Sequence, residues 1–139
     1  MRRFRFRGSS EMHVVALVGT LCVFAGCATE PSPEERAGRI ERSIAEYNKD
    51  ITYPQRINEE QEITSVTSTG MTVTFRNRLV RLSAGDIDLN SITGYRETLR
   101  SQVCSTSPFL KVGATQEYTY YDRDNVYLAK LSFSPADCR

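Results

Sequence analysis

Apolar residues recur at intervals of three and four over residues 33–50, which is the spacing of one face of a helix. These positions are Ala37, Ile40, Ile44, Tyr47 and Ile51. Ser32 and Glu35 enclose Pro33 in the S-x-x-E pattern of a capping box, which marks a helix N-terminus. The pattern therefore predicts an amphipathic helix that begins near residue 33 and ends before Pro54.

The pattern changes from helical spacing to alternation at residue 63. Residues 63–69 are rich in β-branched side chains, and Gly70 interrupts them. Met71, Val73 and Phe75 then alternate with polar residues. This arrangement predicts a β-hairpin with one buried face.

The second half of the chain shows the same order of helix and hairpin. Residues 88–104 carry an apolar helix face, with Asp88 as the expected N-cap. Its apolar positions are Leu89, Ile92, Leu99 and Val103. Residues 116–121 and 127–133 alternate as two strands, and the polar residues 122–125 form the turn between them.

The order αββαββ predicts an α+β fold in one two-layer domain. Two helices would cover one face of an antiparallel four-stranded sheet. A cystatin-like sheet wrapped around the first helix is a variant that fits the same order.

The first 27 residues follow a third pattern. Four arginines, at positions 2, 3, 5 and 7, precede an apolar run of about 12 residues. A helix that spans a bilayer needs roughly 20 apolar residues. The segment is therefore typical of an export signal, although an uncleaved single anchor and a secretory signal cut near Ala28 are alternatives.

The end of this segment, Val23-Phe24-Ala25-Gly26-Cys27, resembles the lipobox of bacterial lipoproteins. Phe24 departs from that pattern, because the position is usually leucine. The resemblance implies a signal peptide over 1–26 and a lipidated tether over 27–32 that carries palmitate or a similar fatty acid on Cys27. The α+β domain that the pattern predicts then covers residues 33–139. The residue after Cys27 is Ala28 and not aspartate, which implies the periplasmic face of the outer membrane in a Gram-negative host.

The remaining cysteines follow from that interpretation. Cys22 lies in the signal, so lipidation of Cys27 leaves Cys104 and Cys138 as a pair by elimination. An exported protein meets an oxidising environment, and a disulfide between these two residues is expected.

Charge and composition restrict the function further. Removal of residues 1–26 changes the formal net charge from +1 to −2, which argues against a nucleic-acid partner. The only histidine, His13, lies in the signal, so Ser-His-Asp and Cys-His catalysis and histidine-ligated zinc are excluded from the remaining chain. Asp122-x-Asp124-Asn125 starts like a calcium loop, but Val126 and Phe133 occupy later ligand positions. No metal and no other cofactor is expected.

Tyrosines are concentrated around the last predicted hairpin, at Tyr118, Tyr120, Tyr121 and Tyr127. Aromatic residues with polar tips are enriched at protein interfaces, so this cluster is a candidate partner surface. The favoured function is a membrane-tethered protein-binding or assembly module of the pilot, inhibitor or immunity type, without enzymatic activity. The alternative is a small envelope enzyme or small-ligand binder that uses carboxylates and tyrosines.

Overall fold

The computed structural model describes residues 30–139. The predicted signal peptide, Cys27 and Ala28 lie outside the described residues. The helices are α1 (Pro33–Lys49), α2 (Leu89–Gly94), α3 (Arg96–Thr106) and α4 (Pro108–Lys111). The strands are β1 (Gln55–Arg56), β2 (Gln61–Thr69), β3 (Thr72–Leu79), β4 (Thr115–Tyr121) and β5 (Tyr127–Phe133). Short 3₁₀ turns occupy Ala84–Asp86 and Pro135–Cys138.

Helix α1 confirms the capping box that the sequence predicts. The backbone N–H of Glu35 donates to Ser32 Oγ at 3.2 Å, and the backbone N–H of Ser32 donates to Glu35 Oε2 at 2.8 Å. Ile40 and Ile44 are the residues of α1 that become buried. The hydrogen bonds of the capping box thus determine where this helix begins, and its apolar face packs against the sheet.

The sheet differs from the prediction in strand number and in direction. It has five strands in the order β1-β2-β3-β4-β5, and the central pair β3–β4 is parallel. The prediction of a wholly antiparallel four-stranded sheet was therefore wrong. A long crossover through α2, α3 and α4 joins the two hairpins and brings β4 back in the direction of β3, as a parallel pair requires. The additional strand, β1, has only two residues and so shows no alternation in the sequence.

The prediction of two helices was also wrong. The expected helix over 88–104 is divided at Tyr95 into α2 and α3, next to Gly94, which weakens a helix interior. Asp88 caps α2 as expected, since Asn90 N–H donates to its Oδ1 at 3.0 Å. The fourth helix, α4, is capped by Ser107, whose Oγ accepts from the backbone N–H groups of Phe109 and Leu110.

The helices pack on one face of the sheet and bury two apolar clusters. One cluster comprises Ile40, Ile44, Val66, Val73 and Ala114. The other comprises Ile92, Leu99, Val103, Leu110, Tyr120, Leu131 and Phe133. Phe75 pairs with Tyr118 across β3 and β4, and their stacked rings, with centroids 5.2 Å apart, join the two clusters. The sheet face that carries these side chains is called the covered face below, and the opposite one the open face.

Asp122 links two loops at one end of the sheet. Its carboxylate accepts from the backbone N–H groups of Ala84, Asp124 and Val126, each at 2.8 Å. Asn125 adopts the left-handed conformation expected for this turn, with φ of 62°. These residues form a structural turn, which explains the pattern that resembled a calcium loop.

Acid should weaken the fold through Asp122. Burial opposes ionisation, but the three backbone donors together lower the pKa of Asp122 below its ordinary value. The unfolded state therefore binds a proton more readily, and the stability that this carboxylate supplies above the unfolded pKa is lost as pH falls through the folded one. Asp122→Asn should unfold at lower urea than the wild type at neutral pH, and should lose less stability between neutral pH and about pH 3. Equal pH dependence of both urea midpoints contradicts this role.

Candidate functional site

The four tyrosines of the predicted surface divide between the two faces of the sheet. Tyr120 is buried and Tyr118 is half-buried, and both lie on the covered face. Tyr121 and Tyr127 lie together on the open face, at the tip of the β4–β5 hairpin. Tyr127 is 55% exposed, so the part of the predicted cluster that is open to solvent lies on the open face.

Tyr118 has a structural environment. Burial raises its pKa to about 12, while a hydrogen bond from the Gln116 side chain opposes the shift. Its ring stacks on Phe75 and meets Phe133 edge-on at 6.2 Å between centroids. Tyr118 therefore belongs to the core and offers no flat surface to a protein partner.

The hairpin tip combines aromatic and basic groups. The rings of Tyr121 and Tyr127 meet edge-on, with centroids 5.7 Å apart. The guanidinium carbon of Arg76 lies 4.1 Å from the centroid of the Tyr121 ring, which is a cation–π contact. Val126, in the turn, is 50% exposed. Two of the four predicted tyrosines, Tyr121 and Tyr127, therefore form a small aromatic patch on the open face, and the other two belong to the covered face.

A larger candidate site lies between α1 and the segment 108–113. This groove encloses about 820 Å³, and its floor is mainly apolar. The apolar lining residues are Pro31, Ile40, Tyr47, Pro108, Phe109 and Val112. Tyr47 and Val112 are 40% and 55% exposed, so apolar surface remains in contact with solvent.

The rim of the groove is basic. It carries Arg36, Arg39 and Lys111, against the single carboxylate of Glu30. Arg36 lies 3.9 Å from Glu30, and its Nε is buried without a hydrogen-bonding partner among residues 30–139. Arg39 and Lys111 form no ion pair with any described residue. An apolar floor with a basic rim suits a segment that has an apolar side flanked by acidic residues.

The hydrophobic pattern of the sequence does not by itself indicate this groove. The pattern places Tyr47 on the apolar face of the first helix, whereas the structure leaves that ring partly in solvent. One indication of the groove was present in the sequence, because the apolar face of the first helix is longer than the part that the core buries. Only Ile40 and Ile44 of that face are fully buried. The sequence pattern did not indicate that Val112 lines a groove. Val112 lies in the connection between α4 and β4, and the opposite wall of the groove comes from α1, which is distant in the chain.

The fold has relatives among solved structures. No protein-family model and no curated protein matches the sequence. A Pseudomonas aeruginosa protein assigned as secreted, known from a crystal structure at 1.60 Å, has a TM-score of 0.62 and 19% identity, and the match covers 75% of this chain and 96% of that one.

Two further structures with this fold are secretion pilotins. EpsS, the pilotin of the Vibrio vulnificus type 2 secretion system, has a TM-score of 0.51 and 12% identity over 77% of this chain and 88% of its own. The type II secretion pilotin AspS of Vibrio cholerae has a TM-score of 0.54 and 14% identity over 75% and 96%. The chain is similar in fold to these pilotins.

Two further observations concern residues 30–139. None of the helices in this range is both long and apolar enough to cross a bilayer. This range also contains no cluster of three or more histidine, cysteine, aspartate or glutamate side chains suited to a metal ion.

Proposed function

We propose that this protein is a lipid-anchored module of the bacterial cell envelope that binds another envelope protein and assists its assembly, as a pilot protein does. The observation that carries this proposal is the fold shared with EpsS and AspS, whose own lengths are matched to 88% and 96%. The apolar groove with its basic rim supplies a surface for such a partner. The periplasmic face of the outer membrane is the proposed location.

We propose no catalytic role for this module. The histidine-dependent mechanisms are excluded by the sequence after residue 26. Mechanisms that use a pair of carboxylates need two such groups in one site, and the groove is lined by one, Glu30. The groove is therefore suited to binding and not to chemistry.

The anchor of the module is Cys27, on the resemblance of residues 23–27 to a lipobox. Cys27 precedes the first residue of α1, Pro33, by six positions, and the lining of the groove includes Glu30 and Pro31. A lipid on Cys27 would therefore hold the groove close to the membrane. This position suits a partner that is itself inserted in that membrane.

Loss of the anchoring thiol should release the protein. In cells fed a fatty-acid probe, the wild type should be labelled and should fractionate with membranes. Cys27→Ala should carry no label and should leave the outer-membrane fraction, because no other residue in the 23–27 pattern can be acylated. Cys138→Ala, which retains Cys27, is the matched control and should remain labelled. Label on Cys27→Ala would refute lipidation at this site.

The contact surface can be tested by crosslinking from native membranes. If the groove binds an acidic, apolar segment, Arg39→Glu with Lys111→Glu should reduce the crosslinked partner at least fivefold, as expected for a hot spot worth about 1 kcal/mol or more. The control Arg123→Glu reverses a charge that is 55% exposed and lies away from the groove, so it should have little effect. Tyr127→Ala tests the hairpin tip, with Lys130→Ala, further along β5 and 48% exposed, as its control.

The outcomes of this experiment differ for the two surfaces. If only the variant with Arg39→Glu and Lys111→Glu loses the crosslinked partner, the groove is the binding surface. If only Tyr127→Ala loses it, the hairpin tip on the open face is the binding surface. Unchanged crosslinking in all folded variants would remove both surfaces from the proposal. Circular dichroism of each variant checks that the fold is retained.

A further inference from the structure

The guanidinium of Arg36 is incompletely paired at the rim of the groove. Its Nε is buried and has no hydrogen-bonding partner within residues 30–139. The carboxylate that pairs with it, Glu30, lies 3.9 Å from its Nη1, which is too long for a hydrogen bond. Buried polar groups nearly always have a hydrogen-bonding partner, so Arg36 lacks an acceptor that this part of the chain does not supply.

The contact with Glu30 leaves one edge of the guanidinium free. A guanidinium presents its N–H donors in a planar fork, and Nε with Nη2 forms an edge that can hold both oxygens of a carboxylate. Glu30 lies at Nη1, and its side chain is 87% exposed, against 36% for Arg36. Ion pairs between exposed side chains contribute little to stability. Another carboxylate can therefore displace Glu30 from Arg36.

Arg36 lies in line with the apolar part of the groove. Arg36, Ile40, Ser43 and Tyr47 recur at intervals of three and four along α1, and all four line the groove. Tyr47 is 40% exposed and lies about 16 Å from Arg36 along the axis of a regular helix. A segment that covers this face of α1 therefore meets the guanidinium at one point and apolar surface beyond it.

The other cations of the rim attract an acid but do not orient it. Arg39 and Lys111 line the groove and form no ion pair within residues 30–139. Their charges raise the local concentration of an acidic segment. A lysine ammonium is a point charge, whereas the planar fork of an arginine matches the geometry of a carboxylate. Arg36, with its unpaired Nε, is therefore the group best suited to select a carboxylate at a defined position.

We propose that Arg36 binds one carboxylate side chain of the partner's segment, and that Glu30 occupies its place until the partner arrives. The partner's glutamate or aspartate accepts hydrogen bonds from Nε and Nη2 as the guanidinium turns outward, and its apolar neighbours pack on Tyr47. Glu30, whose charge repels the incoming carboxylate, moves into solvent. This inference rests on the proposed function, in which the groove receives an acidic, apolar segment, and it names the residue that selects that segment.

Two peptides measure this selection. Acetyl-Leu-Trp-Glu-Leu-Leu-amide carries one carboxylate among apolar residues, and the matched peptide has glutamine in place of glutamate. The protein contains no tryptophan, so the fluorescence of the peptide reports binding. The full chain is held in lipid nanodiscs, because detergent would compete for an apolar groove. The glutamate peptide should bind about tenfold more tightly than the glutamine peptide, as expected for charge-assisted hydrogen bonds.

Variants assign this preference to Arg36 and Glu30. Arg36→Lys keeps the charge but removes the planar fork, so the preference for glutamate should fall to about twofold or less. Glu30→Gln removes the competing carboxylate and should tighten binding of the glutamate peptide about twofold. The matched controls Arg42→Lys and Glu34→Gln change residues of α1 that do not line the groove, and both should bind as the wild type does.

The inference is overturned if the wild type binds the two peptides equally, if Arg36→Lys keeps the full preference for glutamate, or if Glu30→Gln leaves the affinity unchanged. Each of these results leaves the proposed function intact as long as the crosslinked partner is lost from the variant with Arg39→Glu and Lys111→Glu. Failure of the proposed function is thus recognised by crosslinking, and failure of this inference by the peptides.

Discussion

Phe133→Ala should lower the free energy of unfolding by about 3–5 kcal/mol, which is the usual cost of truncating a fully buried aromatic ring. Phe133 is 0% exposed and lies in the larger apolar cluster. Its ring meets Tyr118 edge-on, and the guanidinium carbon of Arg96 lies 4.8 Å from its centroid. The substitution therefore leaves a cavity where β4, β5 and α3 meet. Because whole domains are stable by about 5–15 kcal/mol, this single change should bring the protein close to unfolding.

Urea denaturation followed by circular dichroism measures this effect. Val126→Ala is the matched control, since it also truncates an apolar side chain near β5 but at a position 50% exposed. The control should stay within about 0.5 kcal/mol of the wild type. A loss below about 1 kcal/mol in Phe133→Ala would show that the cluster relaxes around the cavity and does not depend on this ring.

Removal of both cysteines of the Cys104–Cys138 disulfide should cost about 3–4 kcal/mol. The structure contains this predicted disulfide, with Cα atoms 5.4 Å apart and a sequence separation of 34. The bond ties α3 to the C-terminal 3₁₀ turn, so its loss frees a long loop in the unfolded chain. The polar contacts of Asp137 remain: Arg96 Nη2 lies 3.2 Å from its Oδ1, and Arg100 Nη1 donates to its carbonyl oxygen at 2.8 Å.

The test uses a double variant that carries both Cys104→Ala and Cys138→Ala. Its urea unfolding is compared with that of the wild type, measured with and without reductant. The reduced wild type should unfold at the same urea concentration as the double variant, because both lack the same cross-link. Both should keep the native circular dichroism spectrum, since the arginine contacts still hold the turn. Equal midpoints for oxidised wild type and double variant would show that the disulfide adds no stability.

Several features could be predicted from the sequence because short-range chemistry determines them. The capping box at Ser32 and Glu35, the turn at Asn125 and the alternation in β3 to β5 each depend on residues close together in the chain. The cysteine pair followed from counting thiols after one had been assigned to lipid. These inferences needed no knowledge of what lies across the sheet.

Other features were decided by tertiary structure alone. The parallel pairing of β3 with β4 depends on the path of a crossover, and alternation is the same in parallel and antiparallel strands that have one buried face. The division of the tyrosines between core and tip depends on which sheet face the helices cover. The groove needs α1 and Val112 to meet, although more than sixty residues separate them in the chain.

The sequence by itself thus determined the α+β class and the local boundaries of α1 and the hairpins. It also excluded histidine-dependent catalysis from the chain after residue 26. Tertiary structure decided the strand direction at the centre of the sheet, the exposure of each tyrosine and the basic-rimmed groove. The physical reason is that a binding surface forms where distant segments pack, and the energy of that packing depends on complementary shapes that no local pattern records.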